Sequence, residues 1–344
     1  MKLGIIGLPQ SGKSTVFEAL TKSSPDVAHK GENRISTIRL PDNRIDKLSG
    51  MYQPQKTIYA QVEYFLPGIG NSPKNQAKDQ YFWAATRECD ALIHVIRNYG
   101  GAAFENPKPY EDFRNLEQEL ILADLVVVEK RLERIELDQK RGKKANSREH
   151  TLLIDSRKNL ENEIPLRKVA EIASARELKG FTFLSAKPLL VLFNNDEENS
   201  DIPEIDNLTD QENCLVIRGK LEQELAQMST EEATEFLKEF SIGESAMNRI
   251  IRESYNILGL ISFFTIGKDE VRAWTIKTGT QAVDAAEVIH SDIKKGFIRA
   301  EVLAYDDLMA AGTYADARKK GTVRLESKTY EVKDGDIINY RFNV

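Results

Sequence analysis

The chain has 344 residues, of which 41% are hydrophobic and 30% charged, and its formal net charge is −6. This length predicts two or three domains of a soluble globular protein. No apolar run is long enough to span a bilayer, and the N-terminus leads directly into a strand without room for a signal peptide, so we expect a cytoplasmic protein. Two cysteines and four scattered histidines provide neither a disulfide framework nor a zinc site, and the negative charge argues against wholesale coating of nucleic acid.

The segment Gly7–Thr15, GLPQSGKST, has the complete spacing of a phosphate-binding loop. It lies between a predicted strand, Leu3–Ile6, and a predicted helix, Ser14–Leu20. In such a loop the glycines let successive backbone N–H groups turn toward a phosphate, and the helix N-terminus adds a partial positive charge. Lys13 is expected to reach the β and γ phosphates, and Ser14 to ligate Mg²⁺. The predicted phosphate site therefore comprises Pro9, Gln10, Ser11, Gly12, Lys13, Ser14 and Thr15.

Short apolar segments separated by helices or loops predict a parallel, doubly wound α/β sheet. The predicted strands are Leu3–Ile6, Tyr59–Leu66, Ala91–Ile96, Pro188–Phe193 and Cys214–Ile217. The fourth strand ends in the polar run Asn194-Asn195-Asp196-Glu197, at the edge where open α/β sheets bind ligands.

Residues 116–187 change to helical periodicity with dense charge. Apolar residues recur at spacings of three and four before and after a turn at Gly142, which predicts an inserted helical hairpin. The tip, residues 140–148, carries five basic residues and no acidic one. A solvated turn is the favoured interpretation of this tip, and contact with RNA or an acidic partner is the alternative. The apolar series are Leu125, Val128, Leu132 and Ile135, then Leu153, Leu160 and Ile164.

From residue 261 the pattern predicts a small α+β module, with one helix at Ala282–Ile289 and strands that include Lys328–Val332. Its basic and acidic residues balance, so any affinity for nucleic acid requires a local patch. Solvated surface is again the favoured interpretation of both candidate patches. These are Lys294, Lys295 and Arg299, and Arg318, Lys319, Lys320 and Arg324.

Specific sequence segments occur throughout the chain. Besides the phosphate loop, they are Pro41–Arg44, Leu122–Leu125, Glu129–Glu133 and Asn194–Glu197. The most specific ones lie near the C-terminus and are Phe263–Thr265, Glu270–Ile276, Ala285–His290, Lys295–Val302 and Asp334–Asp336. Together these segments resemble the YchF/Obg-like ATPase family.

The resemblance implies a Ras-like GTPase-type P-loop NTPase domain, residues 1–115 and 188–260, with a helical coiled-coil insertion, residues 116–187. It also implies a C-terminal TGS domain with a β-grasp fold, residues 261–344. Expected ligands are Mg²⁺ and ATP, or GTP. A ribosome or RNA is the expected partner, bound through the insertion and the TGS domain.

A preference for ATP has a physical basis in the base-reading run. GTPases read guanine with Asn-Lys-x-Asp, and here Asn195 replaces the lysine and Glu197 the aspartate. The longer carboxylate spoils the paired geometry with guanine, and the lost lysine stem no longer packs over the base. A shifted loop that uses Asp196 would be the alternative route to GTP. The predicted base site is Asn194, Asn195, Glu197 and Gly219.

Three parts associated with hydrolysis depart from the family pattern. Phe65 stands where the second switch has an aspartate that holds a Mg²⁺-bound water, although Gly68 keeps the N–H expected to meet the γ phosphate. Ile69 is hydrophobic, as is typical of the family, but the downstream loop, residues 100–110, lacks the histidine that such members are thought to use. The first switch maps near Lys30–Asn33 without its threonine, and Thr37 is only a nearby candidate.

Loss of one positioning group costs about 10² to 10⁴ in rate. The sequence therefore predicts an ATP-binding protein that hydrolyses slowly, with no catalytic residue assigned. Gln10 or a group supplied by the ribosome could compensate. The alternative is a non-catalytic module in which the nucleotide only orders the switch segments for a partner.

Overall fold

A computed structural model describes residues 1–23, 31–68, 75–100, 106–142, 146–205, 208–239 and 245–343. The chain forms two compact units. The first comprises Met1–Thr37 with Glu63–Ile250, and the second comprises Ile38–Val62 with Ile251–Val344. No helix in these described ranges has both the length and the apolar character needed to cross a bilayer.

The strands are β1 (Lys2–Ile6), β2 (Arg34–Arg39), β3 (Lys56–Ile58), β4 (Gln61–Leu66), β5 (Ala91–Asn98), β6 (Leu189–Asn195), β7 (Asn213–Ile217), β8 (Leu260–Ile266), β9 (Glu270–Lys277), β10 (Phe297–Ala304), β11 (Arg324–Glu326) and β12 (Asp336–Phe342). The α-helices are α1 (Lys13–Thr21), α2 (Asn43–Tyr52), α3 (Asn75–Arg87), α4 (Pro109–Lys140), α5 (Ser147–Glu161), α6 (Ala170–Ser174), α7 (Leu208–Gln211), α8 (Gly219–Gln227), α9 (Thr230–Glu239), α10 (Ala246–Ile257), α11 (Ala282–Ile289), α12 (Ser291–Lys295), α13 (Tyr305–Ala311) and α14 (Tyr314–Lys319).

The first sheet has the strand order β2-β4-β1-β5-β6-β7, and the five strands from β4 to β7 in this order run parallel to one another. Every residue of β6 is buried, and most of β1 and β5 is buried as well. Such continuous apolar strands are expected where helices cover both faces of a parallel sheet. The carboxyl ends of β1, β5 and β6 therefore meet at one edge, which carries the phosphate loop and the polar run after Phe193.

The predicted helical insertion is present as the hairpin of α4 and α5, followed by short helical turns. Val128, Leu132 and Ile135 of α4 pack with Leu153 and Leu160 of α5 in one buried cluster. Leu125 lies at its margin, and Ile164 is 40% exposed outside it. Helix α4 begins at Pro109, before the predicted start of the insertion. The sequence did not reveal this earlier start, because charged residues around Phe113 and Leu116 obscure the spacing of these two buried residues.

The second unit contains a mixed sheet with the order β11-β10-β12-β8-β9-β3. Helix α11 covers one face, with Ala282, Ala285 and Ala286 packed against Phe263 and Val302. A helix laid across a mixed sheet is the architecture that the β-grasp prediction implies. The predicted strand Lys328–Val332 is wrong, since only an isolated bridge joins Glu331 to Gln281 there.

Residues 38–62 join the second unit, whereas the sequence analysis placed them in the nucleotide domain. Strand β3 pairs in parallel with β9, and Arg44 donates to both Asp42 and Asp334. The Arg44 guanidinium also stacks over the Phe264 ring at 5.2 Å. Apart from the local pair with Asp42, these contacts span more than 200 residues of sequence, so no local pattern could have indicated them.

A buried carboxylate fastens the insertion to the segment that leads into β6. Asp124 of α4 is fully buried and pairs with Arg87 at 2.8 Å. It also accepts hydrogen bonds from the backbone N–H groups of Leu184 and Ser185 and from the Ser185 hydroxyl. Four donors thus converge on one side chain.

We expect Asp124→Ala to destabilise the first unit by about 3 to 5 kcal/mol, because it leaves the Arg87 charge and the other donors without a partner. Urea unfolding in a Trp274→Phe background measures this, since Trp83 then reports on the first unit alone. The control is Glu161→Ala, which breaks the exposed Arg157–Glu161 pair and should cost about 0.5 kcal/mol or less. A loss below about 1 kcal/mol for Asp124→Ala would contradict this account.

Candidate nucleotide site and basic surfaces

The phosphate loop connects β1 to α1 through left-handed backbone at Gly12 (φ 91°) and Gln10 (φ 64°). A Cβ on Gly12 would lie 2.2 Å from Nδ2 of Asn194, so position 12 requires glycine both for its conformation and for space. Pro9 and Gln10 are exposed, while Ser11 is buried. Tyr99, which the sequence analysis did not single out, donates its hydroxyl to the Gln10 carbonyl at 2.6 Å.

Lys13 folds back over this loop. Its Nζ donates to the carbonyls of Gly7 at 2.9 Å and Leu8 at 2.7 Å. Burial lowers the pKa of Lys13 to about 8. The ammonium group is therefore held at the centre of the loop, and no carboxylate of the described residues neutralises it. This is the arrangement that a phosphate ligand requires.

Ser14 lies in the first turn of α1 and is exposed, and its hydroxyl makes no hydrogen bond to the described residues. It is therefore free to ligate a metal ion. Thr15 follows it, half-buried, and Thr37 on β2 is exposed. Glu18, a further carboxylate on α1, is engaged by Arg34 and Gln223.

Asn194, at the end of β6, links the phosphate loop to the loop between β7 and α8. It is 4% exposed, its Nδ2 donates to the Ser11 carbonyl at 3.1 Å, and its Oδ1 accepts the Gly219 N–H at 3.0 Å. A Cβ on Gly219 would lie 2.6 Å from that Oδ1. Asn194 thus connects the phosphate loop to the start of α8, with one amide hydrogen remaining.

Asn195 and Glu197 are placed differently from Asn194. Asn195 donates both amide hydrogens to the carbonyls of Asn199 and Asp201, and its Oδ1 accepts from Asn98. It has no hydrogen left to offer a base. The Glu197 carboxylate pairs with Lys220 at 2.8 Å on the surface.

Gly68 contacts the segment that the sequence analysis predicted as the first switch. Its N–H donates to Oδ1 of Asn33 at 2.9 Å, and the Asn33 amide in turn donates to the Tyr81 hydroxyl at 3.0 Å. A Cβ on Gly68 would lie 2.2 Å from the Gly31 carbonyl oxygen. The sequence analysis located this switch near Asn33 but gave no signal for the contact with Gly68, which lies 35 residues away.

Phe65 is 2% exposed and belongs to the main core cluster of the first unit, together with Ile6 and Leu92. Its ring also lies under the Lys2 ammonium at 4.2 Å. It therefore contributes packing and no metal contact. Within the described ranges, no three acidic, histidine or cysteine side chains form a group that could hold a metal ion.

His94 lies on the central strand β5, but it is buried and stacks on Phe113 at 5.7 Å. Burial, with the nearby positive charges of Arg167 and Lys13, lowers the pKa of His94 to about 3. Its imidazole is a neutral core group at physiological pH. Ile69, Lys30 and loop residues 101–105 lie outside the described residues.

The predicted basic clusters are largely neutralised by acidic neighbours. Lys294 pairs with Asp284 and Glu287, Lys295 with Asp292, and Lys319 with Asp316. Arg324 lies near Glu326 and Asp336. At the tip of the insertion Arg148 pairs with Glu171, and residues 143–145 lie outside the described ranges.

A different basic cluster forms on the second sheet, and we call it the arginine face: Arg299, Arg318 and Arg341. Arg299 and Arg341 are cross-strand partners on β10 and β12. Arg341 donates to Glu301 at 2.7 Å, and Arg318 of α14 donates to the same carboxylate. The sequence analysis missed Arg341, because antiparallel pairing and not sequence proximity brings it to Arg299.

Comparison with known proteins agrees with this architecture. A family model described as "50S ribosome-binding GTPase" matches residues 2–131, and the YchF-GTPase C-terminal model, described as a protein of unknown function, matches residues 260–343. The chain is 37% identical to "Ribosome-binding ATPase YchF" of Bacillus subtilis, with 99% of each protein covered. It is 36% identical to the protein of the same description in Haemophilus ducreyi, over 100% of this chain and 99% of the relative.

Among solved structures, that of the Schizosaccharomyces pombe YchF GTPase superposes with a TM-score of 0.83 at 29% identity, covering 99% of this chain and 97% of that chain. The predicted family and fold class are thereby confirmed. A P-loop domain with a helical insertion, a C-terminal mixed-sheet domain and end-to-end similarity to these relatives place the chain in the YchF family.

Proposed function

We propose that this protein binds ATP in preference to GTP, with Mg²⁺, at the loop Gly7–Thr15. It hydrolyses ATP slowly and passes its nucleotide state to a ribosome or RNA through the insertion and the TGS domain. The observation that carries the proposal is the Lys13 ammonium, held over the loop with no carboxylate partner in the part of the chain that the structure describes. The relatives described as ribosome-binding ATPases support the choice of nucleotide and partner.

Mg²⁺ would be held by the Ser14 hydroxyl together with nucleotide phosphates. Ser14 is exposed and has no competing hydrogen bond among the described residues. The metal would neutralise phosphate charge. Because Phe65 is enclosed in the core, no second anchor is expected from β4.

The contacts of Asn195 and Glu197 indicate that guanine is recognised poorly. Asn195 uses both amide hydrogens within its own loop, and Glu197 is paired with Lys220. A carboxylate engaged by lysine is a poorer acceptor for the two guanine hydrogens that an aspartate normally reads. We propose that Asn194 and Gly219 border the base and that Asn195 only fastens the loop.

The second candidate function is a binding module with negligible turnover. The buried Phe65 and the buried, neutral His94 favour it, since neither can supply the groups that the family pattern lacks here. In that case the nucleotide would order the switch around Asn33 without being consumed. The two functions share the binding site and differ only in turnover.

ATP and GTP titrations with and without Mg²⁺, followed by turnover measurements, separate these possibilities. We expect Lys13→Ala to weaken ATP binding at least tenfold, because it removes a charge-assisted contact with the phosphates. The control is Lys47→Ala, an exposed lysine of the second unit that should leave binding unchanged. Equal ATP affinity in the wild type and Lys13→Ala would overturn the binding proposal.

Turnover and base preference are judged in the same experiment. Turnover above that of Lys13→Ala supports the slow hydrolase, and tight binding with turnover no faster than in the mutant identifies the binding module. A GTP preference of tenfold or more, about 1.4 kcal/mol, would contradict the account of Asn195 and Glu197.

The lowered pKa of Lys13 predicts a pH dependence of binding. Nucleotide phosphates favour the ammonium form, so ATP binding should raise the pKa of Lys13 from about 8 and take up about half a proton at pH 8. ATP affinity should therefore fall as pH rises from 7.5 to 9.5. Calorimetry in two buffers of different ionisation enthalpy measures the uptake, and Lys13→Ala should abolish it. Uptake that persists in Lys13→Ala would assign the proton to another group.

The contact between Asn33 and Gly68 predicts a competition with the γ phosphate. Because the Gly68 N–H already donates to Asn33, a γ phosphate at that N–H must displace the asparagine. Asn33→Ala should tighten binding of a non-hydrolysable ATP analogue about 2- to 10-fold, the equivalent of one net hydrogen bond. ADP, which lacks the γ phosphate, is the internal control and should bind unchanged. Selective weakening of the ATP analogue would instead mean that Asn33 contacts the nucleotide.

A further inference from the structure

We propose that the arginine face, Arg299, Arg318 and Arg341, is the surface through which the second unit binds an RNA phosphate backbone. The inference rests on the proposed function, which names a ribosome or RNA as partner and the insertion and the TGS domain as the route, but no residues that make the contact. It assigns that contact to one face of one sheet.

The face has an arrangement that stability does not explain. Arg299 and Arg341 are directly opposite on neighbouring antiparallel strands, where like charges repel and destabilise the pair. Arg299 is exposed and makes no ion pair or hydrogen bond with the described residues. An unpaired arginine beside a second arginine is suited to an anion that the protein itself does not supply.

One buried acid orients the other two arginines. Glu301 is 2% exposed and accepts hydrogen bonds from Arg341, Arg318 and the Tyr314 hydroxyl. These donors outweigh the effect of burial and keep the pKa of Glu301 below its usual range. The carboxylate fixes one edge of each guanidinium, and Arg318 and Arg341 remain 62% and 54% exposed. Three arginines against one buried carboxylate leave the face with a net positive charge.

The chemistry of the cluster favours RNA over a small free anion. Guanidinium groups form bidentate hydrogen bonds with phosphate, which lysine cannot do. Here the three groups are spread over two strands and a helix, on the surface of a sheet, so they can meet several phosphates of one chain. The acidic protein as a whole would repel RNA, so contact has to be local.

A matched pair of arginine substitutions in the full-length protein tests the face. Arg299→Gln removes the unpaired charge, and Arg324→Gln removes an arginine of the same sheet that pairs with Val302 of the core and therefore points to the opposite side. The net charge change is identical. Since Arg299 has no partner among the described residues, its substitution leaves no buried group unsatisfied.

Binding of a fluorescein-labelled 20-nucleotide oligouridylate is measured at several salt concentrations. We expect Arg299→Gln to weaken binding about three- to tenfold and to reduce the slope of log K against log salt by about 0.7, the loss of one phosphate contact on a single strand. Arg324→Gln should leave both values unchanged. If both variants lose the same affinity, the effect is one of overall charge and not of the arginine face. If Arg299→Gln loses no affinity, the arginine face does not bind RNA. Either outcome overturns the inference.

Cosedimentation with ribosomes separates this inference from the proposed function. If the wild type and Arg299→Gln cosediment equally well, the inference is overturned and the proposed function stands. Cosedimentation lost in Arg299→Gln while oligouridylate binding is unchanged would indicate an acidic protein partner and also overturn it. If the wild type fails to cosediment, the proposed function fails, and the oligouridylate comparison alone decides the face.

Discussion

The buried side chain of Asn194 determines the geometry of the candidate site. It links the Ser11 carbonyl to the Gly219 N–H, and the loops approach so closely that neither Gly12 nor Gly219 has room for a Cβ. A buried amide that loses one of these partners leaves a polar group unsatisfied, which costs about 1 to 3 kcal/mol. The phosphate loop is therefore held in shape from outside its own sequence, and the position of Lys13 depends on that support.

The parts of the fold predicted well are those specified by contiguous sequence. The phosphate loop lies between β1 and α1, as expected, because glycine conformations and helix capping are local properties. The helical hairpin was also predicted from periodicity, although its first helix begins at Pro109, before the apolar spacing becomes visible. The role of residues 38–62 in the second unit was missed, since it depends on the pairing of β3 with β9 and on Arg44 reaching Asp334. Contacts over such separations leave no periodic trace in the sequence.

The same reasoning explains the basic surfaces. Clusters visible in the sequence, such as Lys294 with Lys295, are neutralised by acidic residues nearby in the sequence, Asp292 three positions and Asp284 ten positions away. The arginine face combines one residue from each predicted cluster with Arg341, which no cluster contained. Linear proximity of basic residues is thus a poor guide to surface potential wherever acidic residues are interspersed. Sheet register, which the sequence did not reveal, brought Arg299 and Arg341 together.

The proposed binding and the proposed hydrolysis depend on different parts of the chain, and Phe65 affects only the second. The phosphate loop can remain intact independently of β4, because its support comes from Asn194 and Gly219. The metal anchor of the second switch would instead have to emerge from β4 at a position now enclosed by Ile6, Leu92 and other core residues. A Phe65→Asp exchange would bury a carboxylate and open a cavity together, and burial of an unpaired charge is disfavoured by several kcal/mol or more. Packing around β4 would therefore have to change before a carboxylate at position 65 could reach the metal.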